Sequence, residues 1–209
     1  MARRAPIAAV VACAAALLAG LVHHRTAAAA PLRTTPAYDG VAPGDRAWIA
    51  ASVAAARPEA ATLIRHAIGR VTFRTTYQPQ AQWAGLTLAR GDDYTVEVNL
   101  SFLDSQRGVG MRDDVILHEL GHVVDFAEVP DETVDRLAAE VPVTGTCLTP
   151  DTGDCTAPQE RFADTFAKWA LRGAVSVAGA GYSIPMPASL EDWGAPLGTL
   201  AAQIEAASA

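Results

Sequence analysis

The sequence predicts an α+β domain, with a small and mostly antiparallel sheet packed by helices, behind a removable leader. Three observations carry this reading. Apolar residues recur at helical spacing at both ends of the chain, the stretch 71–102 switches to a period of two, and no internal repeat links the two patterns. Helices, then strands, then helices again is the order of an α+β fold.

The elements follow in order. "PGDRAWIAASVAAA" reads as a helix starting near Asp45, with Trp48, Ile49, Ser52 and Val53 on one face. Pro58 opens a second helix through "EAATLIRHAIG", which ends near Gly69. "VTFRTTY" (71–77), "AGLTLAR" (84–90) and "YTVEVNLSF" (94–102) read as strands, the last two joined by the turn signal "GDD". In the third, Tyr94, Val96, Val98, Leu100 and Phe102 alternate with polar residues, the pattern of a half-buried strand at a sheet edge. A helix with Asp113 and Asp114 in its first turn follows, where negative charge suits the helix dipole. "DETVDRLAAEV" (131–141) and "PQERFADTFAKWALRG" (158–173) are two more helices, and a last one lies around "LGTLAAQIEAA".

Residues 1–30 are expected to be a signal peptide. "MARR" is a basic start, "APIAAVVACAAALLAGLV" an apolar run, and "TAAAA" a small-residue tract suited to cleavage within Ala27–Ala30. The minor alternative is an N-terminal membrane anchor, for which the run falls just short of the ~20 residues a span needs. Arg3-Arg4 hints at twin-arginine export without completing that motif, and Cys13 lies too early in the run for a lipidated cysteine. The remaining 31–209 is a single domain with apolar content enough for one core.

Removing a leader with three arginines and no acids takes the formal charge from −7 to −10. Such acidity leaves no basic footprint for nucleic acid or anionic lipid. No second long apolar run appears, so the expectation is a secreted monomer that leaves the membrane once the signal is cleaved. Cys147 and Cys155 bracket "LTPDTG", and in an oxidising compartment a disulfide closing this loop is expected over zinc thiolates, which would need two more soft ligands.

The chemistry is written in "VILHELGHVVDF" (115–126). Residues four apart on a helix share a face, so His118 and His122 can bring both imidazoles to one ion, with Glu119 beside them to touch a metal-bound water. The bland alternative is a helix whose histidines merely form hydrogen bonds. A catalytic zinc takes three protein ligands. His23 and His24 leave with the leader, His66 lies on a separate helix, and the cysteines are expected to be oxidised, so a carboxylate is left. Glu160 is the first choice. "ERFAD" sets Glu160 and Asp164 one turn apart, opposite Phe162 and Phe166, and Ala163 and Ala167 are small enough for a close helix approach. Asp164 would then accept the N–H of a ligating histidine and fix its tautomer. A solvated acidic face is the alternative. Asp125, three after His122, is the rival ligand or outer partner, although three ligands from one straight helix make poor geometry.

"HELGH" followed by an "ExxxD" helix resembles the gluzincin class of zinc metallopeptidases, and "HELGHVVD" with a later "ERFADTFA" is similar to its lethal-factor-like and Pro-Pro endopeptidase-like branch. The resemblance covers roughly residues 111–170. It implies a zincin-like fold, one zinc ion per chain held by His118, His122 and Glu160, Glu119 as general base, and Asp164 behind a histidine. It also implies an extended peptide or protein substrate paired along the strand 94–102. The branch places a tyrosine shortly before the glutamate ligand, and this chain has none between His122 and Glu160. Tyr182, in "GAGYSIPMP", is the first candidate to stabilise the oxyanion, ahead of Tyr94 and His66. The function expected is a secreted zinc-dependent endopeptidase. Its alternatives are a metal-dependent amidase acting on cell-wall peptides and a non-catalytic binding module.

Overall fold

The computed structural model describes residues 33–81, 83–105, 110–143, 157–174 and 184–209. All of them belong to one unit, Leu32–Ala209. The leader, both cysteines of the expected disulfide (Cys147 and Cys155) and Tyr182 lie outside the described residues.

In chain order the elements are β1 (Ala37–Asp39), α1 (Pro43–Ala55), α2 (Pro58–Ala67), a 3-10 turn (Ile68–Arg70), β2 (Val71–Thr76), β3 (Gly85–Arg90), β4 (Asp93–Asn99), α3 (Leu100–Leu103), α4 (Arg112–Glu128), α5 (Asp131–Ala139), α6 (Pro158–Ala170) and α7 (Leu190–Ser208). Three helices begin with a proline, at Pro43, Pro58 and Pro158, where a missing N–H costs nothing and the fixed φ suits the first turn. α7 begins differently: the Ser189 hydroxyl accepts from the Asp192 N–H at 3.2 Å. No described helix is long and apolar enough to cross a membrane.

The class is α+β, with helices around one four-stranded sheet of order β1-β2-β4-β3. The sheet is mixed rather than mostly antiparallel. β1–β2 and β2–β4 are parallel, and only β3–β4 is antiparallel. The "GDD" turn does make a hairpin, but β4 inserts between β2 and β3 instead of staying outside them. The connection after β2 therefore crosses to the far edge, and Asn99 holds it there. Its fully buried amide donates to the Gln78 and Trp83 carbonyls at 3.1 Å each, and its oxygen accepts from the Gln78 N–H at 3.0 Å.

Two further expectations are corrected here. The strand expected over 94–102 ends at Asn99, and Leu100–Leu103 turns into a short helix. Nor is that strand an edge: among the described residues β3 and β1 are the outer strands. β4 is alternating because one of its faces meets the core, not because it borders solvent.

That face is apolar across the sheet. Phe73 pairs with Val96, Val71 with Tyr94, and all four are buried. α4 packs over it and is buried from Asp114 to Asp125. On its other side lies α6. A Cβ on Gly121 would sit 3.0 Å from the Ala163 Cα and 3.2 Å from its carbonyl oxygen, so the two helices meet through a glycine and an alanine. α6 and α7 close the core through Trp169 and Trp193, whose rings meet edge-on at 6.4 Å, and the Trp193 indole donates to the Leu137 carbonyl at 2.9 Å.

Candidate metal centre

Three side chains converge in the gap between α4 and α6. His118 and His122 project from one face of α4, their ring centroids 4.9 Å apart and their planes crossed at 83°. Glu160, in the first turn of α6, brings Oε2 to 3.3 Å from the His118 Nε2 and 3.5 Å from the His122 Nε2. One ligating atom from each of the three lies within 4.8 Å of the others. The close helix contact at Gly121 and Ala163 is what makes this reach possible.

The donor set fits a cation. Glu160 Oε2 is buried and among the described residues meets only the two imidazole nitrogens, at 3.3 and 3.5 Å, longer than a good charged hydrogen bond. A buried carboxylate oxygen held so loosely is satisfied only by a positive centre in front of it, a protonated imidazole or a metal ion. Two imidazole nitrogens and a carboxylate oxygen suit a transition-metal ion. The group can hold a metal ion.

Without the ion, the three side chains polarise one another. Burial alone would lower the His118 pKa, but the facing Glu160 carboxylate, with Glu119 and Asp164 behind it, raises it to about 9. Burial pushes Glu160 up, and the two imidazoles more than reverse this, holding it well below the usual carboxylate range. These are two views of one interaction, and both say that the cavity favours a positive charge facing Glu160.

Glu119 is turned away from the ligand group toward the sheet. The Thr87 hydroxyl on β3 lies 2.7 Å from its Oε2 and 3.0 Å from its backbone carbonyl. A hydroxyl has one proton, so the shorter contact to the carboxylate takes it. Gly85, two residues earlier, leaves room for the other oxygen: a Cβ there would stand 2.4 Å from Glu119 Oε1. β3 thus holds one carboxylate oxygen through Thr87 and leaves space at Gly85 for the other, while the charge of Glu119 still acts on His118.

Asp164 is buried behind His118 and its charge acts on that ring. Its Oδ2 receives the Lys168 ammonium, which also donates to the Ile184 carbonyl, and Lys168 is itself fully buried. Burial raises the Asp164 pKa, against the opposing charges of Lys168 and His118. Asp125 is not in the ligand group. Its Oδ2 and the His122 Nδ1 are both buried without hydrogen-bond partners among the described residues. Burial pushes Asp125 up to about 6; His122 opposes the rise, and Asp131 and Asp135 add to it. His66 is elsewhere, its Nδ1 2.7 Å from Glu128 Oε2.

Sequence reasoning missed four residues here: Thr87, Gly85, Lys168 and Phe126, whose ring stacks on His122 at 6.1 Å. Two had a signal. Lys168 follows Asp164 by four and Phe126 follows His122 by four, so each shares a face with a site residue. No family model matches the chain, and neither a curated protein nor a solved structure does.

Proposed function

We propose that the chain is an exported zinc-dependent endopeptidase of zincin-like type. The single observation that carries this reading is the convergence of His118, His122 and Glu160, with Glu119, next in the chain after His118, held by Thr87. Zinc suits the donor set: two imidazoles and a carboxylate are a usual trio for a catalytic zinc, and His118, His122 and Glu160 offer them within 4.8 Å of one another. A zinc ion bound there supplies a water whose pKa is lowered toward ~7 and a Lewis acid for the scissile carbonyl.

The chain's own residues do the proton work. Glu119 Oε1, the oxygen not held by Thr87, accepts a proton from the attacking water as the new C–O bond forms. It returns that proton to the amide nitrogen as the C–N bond breaks, so acid and amine leave and the base is regenerated. Asp164, anchored by Lys168, is the positioning residue for His118. The substrate is an extended peptide laid beside β3, the outer strand next to Glu119, rather than beside β4. Export rests on the basic, apolar and small-residue order of 1–30.

The test is Glu119→Gln on the full chain. Peptide-bond turnover should fall by about 10²–10⁴-fold, the contribution of a general base, while metal analysis still finds about one zinc per chain. An unchanged rate refutes the mechanism. A wild-type protein that binds no zinc at neutral pH points instead to a binding module.

A further inference from the structure

α4 is buried from Asp114 to Asp125, and the next residue, Phe126, is 48% exposed. It lies four residues past His122 and eight past His118, on the face that carries the ligands. Its ring is nearly parallel to two others, at 6.1 Å and 18° from His122 and at 6.5 Å and 20° from Tyr94. Tyr94 is only 4% exposed, so it forms a floor, and its ladder partner Ala89 on outer strand β3 adds a small exposed side chain on the same sheet face. A run of aromatic rings therefore extends from His122 and opens to solvent at Phe126, on the sheet face that β3 shares with α4.

We propose that Phe126, backed by Tyr94 and bordered by Ala89, is a subsite that takes an uncharged apolar side chain of the substrate, aromatic or large aliphatic. The proposal rests on the peptidase reading and names the substrate class for it. An extended chain advances about 3.3 Å per residue, so a side chain lying on the Phe126 ring belongs to a residue within about three of the bond cleaved. Burying the half-exposed ring against an apolar group removes water from both surfaces, and offset aromatic pairs add to that. The surroundings reject acids. Asp92 and Asp93 in the β3–β4 turn and Glu128 at the end of α4 place negative charge around Tyr94. The nearby cation, Arg70, stands over the Tyr94 ring at 5.8 Å but is already paired with Glu128 at 2.8 Å.

The experiment has two arms. In the first, N-acetyl-phenylalanine amide is titrated into the full-length zinc-loaded Glu119→Gln protein, with N-acetyl-aspartate amide as control, and the ring resonances of Phe126 and Tyr94 are followed by NMR. In the second, cleavage sites of the wild type and of Phe126→Ala are read by mass spectrometry on a denatured protein mixture. Shifts with the phenyl amide alone are expected, together with an enrichment of Phe, Tyr, Trp or Leu at one fixed position of about tenfold or more, lost in Phe126→Ala. Silent ring resonances, or an active enzyme with no such preference, overturn the subsite. Ring shifts in a protein that cleaves nothing keep the subsite and overturn the peptidase reading, so the two failures are distinguishable.

Discussion

The two histidines stand between unlike walls. On the α6 side the packing is dense. Gly121 lets Ala163 approach to contact, Phe162 and Phe166 are fully buried, and the Asp164–Lys168 pair is sealed behind the ligands. On the β3 side the contacts are few and polar, made by Thr87 beside the small Gly85, and Phe126 next to them is 48% exposed. The difference separates two tasks. On the proposed peptidase reading, the tight wall would fix metal ligands, which must be held within tenths of an ångström, whereas the open wall would orient a base and leave an edge for a substrate. A site built with two tight walls would bind metal and admit nothing.

If the division is real, damage to the α6 wall should fall first on stability and metal retention, and damage to the β3 wall on turnover alone. The largest effect is expected from Lys168→Met. It strands the buried Asp164 carboxylate, and breaking such a pair costs about 3–5 kcal/mol. Denaturant unfolding should show that loss, with weaker zinc retention in competition against a chelator. A variant as stable as the wild type would mean that Asp164 has another support.

Thr87→Val should act oppositely. It removes a hydrogen bond to a carboxylate, worth about 1.5–3 kcal/mol. Steady-state kinetics should show kcat lower by roughly ten- to a hundredfold, at about 1.4 kcal/mol per decade. KM and zinc content should hardly change, and Thr87→Ser, which keeps the hydroxyl, should recover most of the rate. Equal loss in the serine and valine variants would show that the methyl group, not the hydroxyl, matters.

The last expectation is the pH response of the metal-free site, gradual because it is spread over more than two pH units. His118 is raised from 6.5 to about 9, so its stabilising pair with Glu160 is complete below pH 6.5 and is lost as pH rises through 9. Metal must displace that proton at neutral pH. Apparent zinc affinity is therefore expected to climb about tenfold per pH unit between 7 and 9, while the metal-free protein loses stability over the same range. Calorimetry in buffers of different ionisation enthalpy measures the proton released, and a pH-independent affinity contradicts the pairing.

The tight wall was largely legible in the sequence, and the open one was not. His118 and His122 follow from helical spacing, Glu160 from eliminating the other possible ligands, and the small residue at Ala163 signals a close helix contact. Lys168 escaped notice because a lysine on a helix is usually solvated; only the packing of Ile184 over α6 shows its burial. In β3, hydrophobicity argues for burying Leu86 and Leu88. The fold instead turns Gly85 and Thr87 inward, because α4 runs too close to that face for a larger residue at position 85. The placement of β4 between β2 and β3 likewise depends on which strands cover the apolar face together, a non-local choice that a hairpin signal does not encode.

Anomalous scattering from a crystal grown with zinc tests the metal cage most directly. One ion is expected, bonded to His118 Nε2, His122 Nε2 and the Glu160 carboxylate at 2.0–2.2 Å, with Glu119 Oε2 still on the Thr87 hydroxyl. Zinc bound away from these three residues, or a Glu160 side chain pointing into solvent beside a bound ion, would contradict the account.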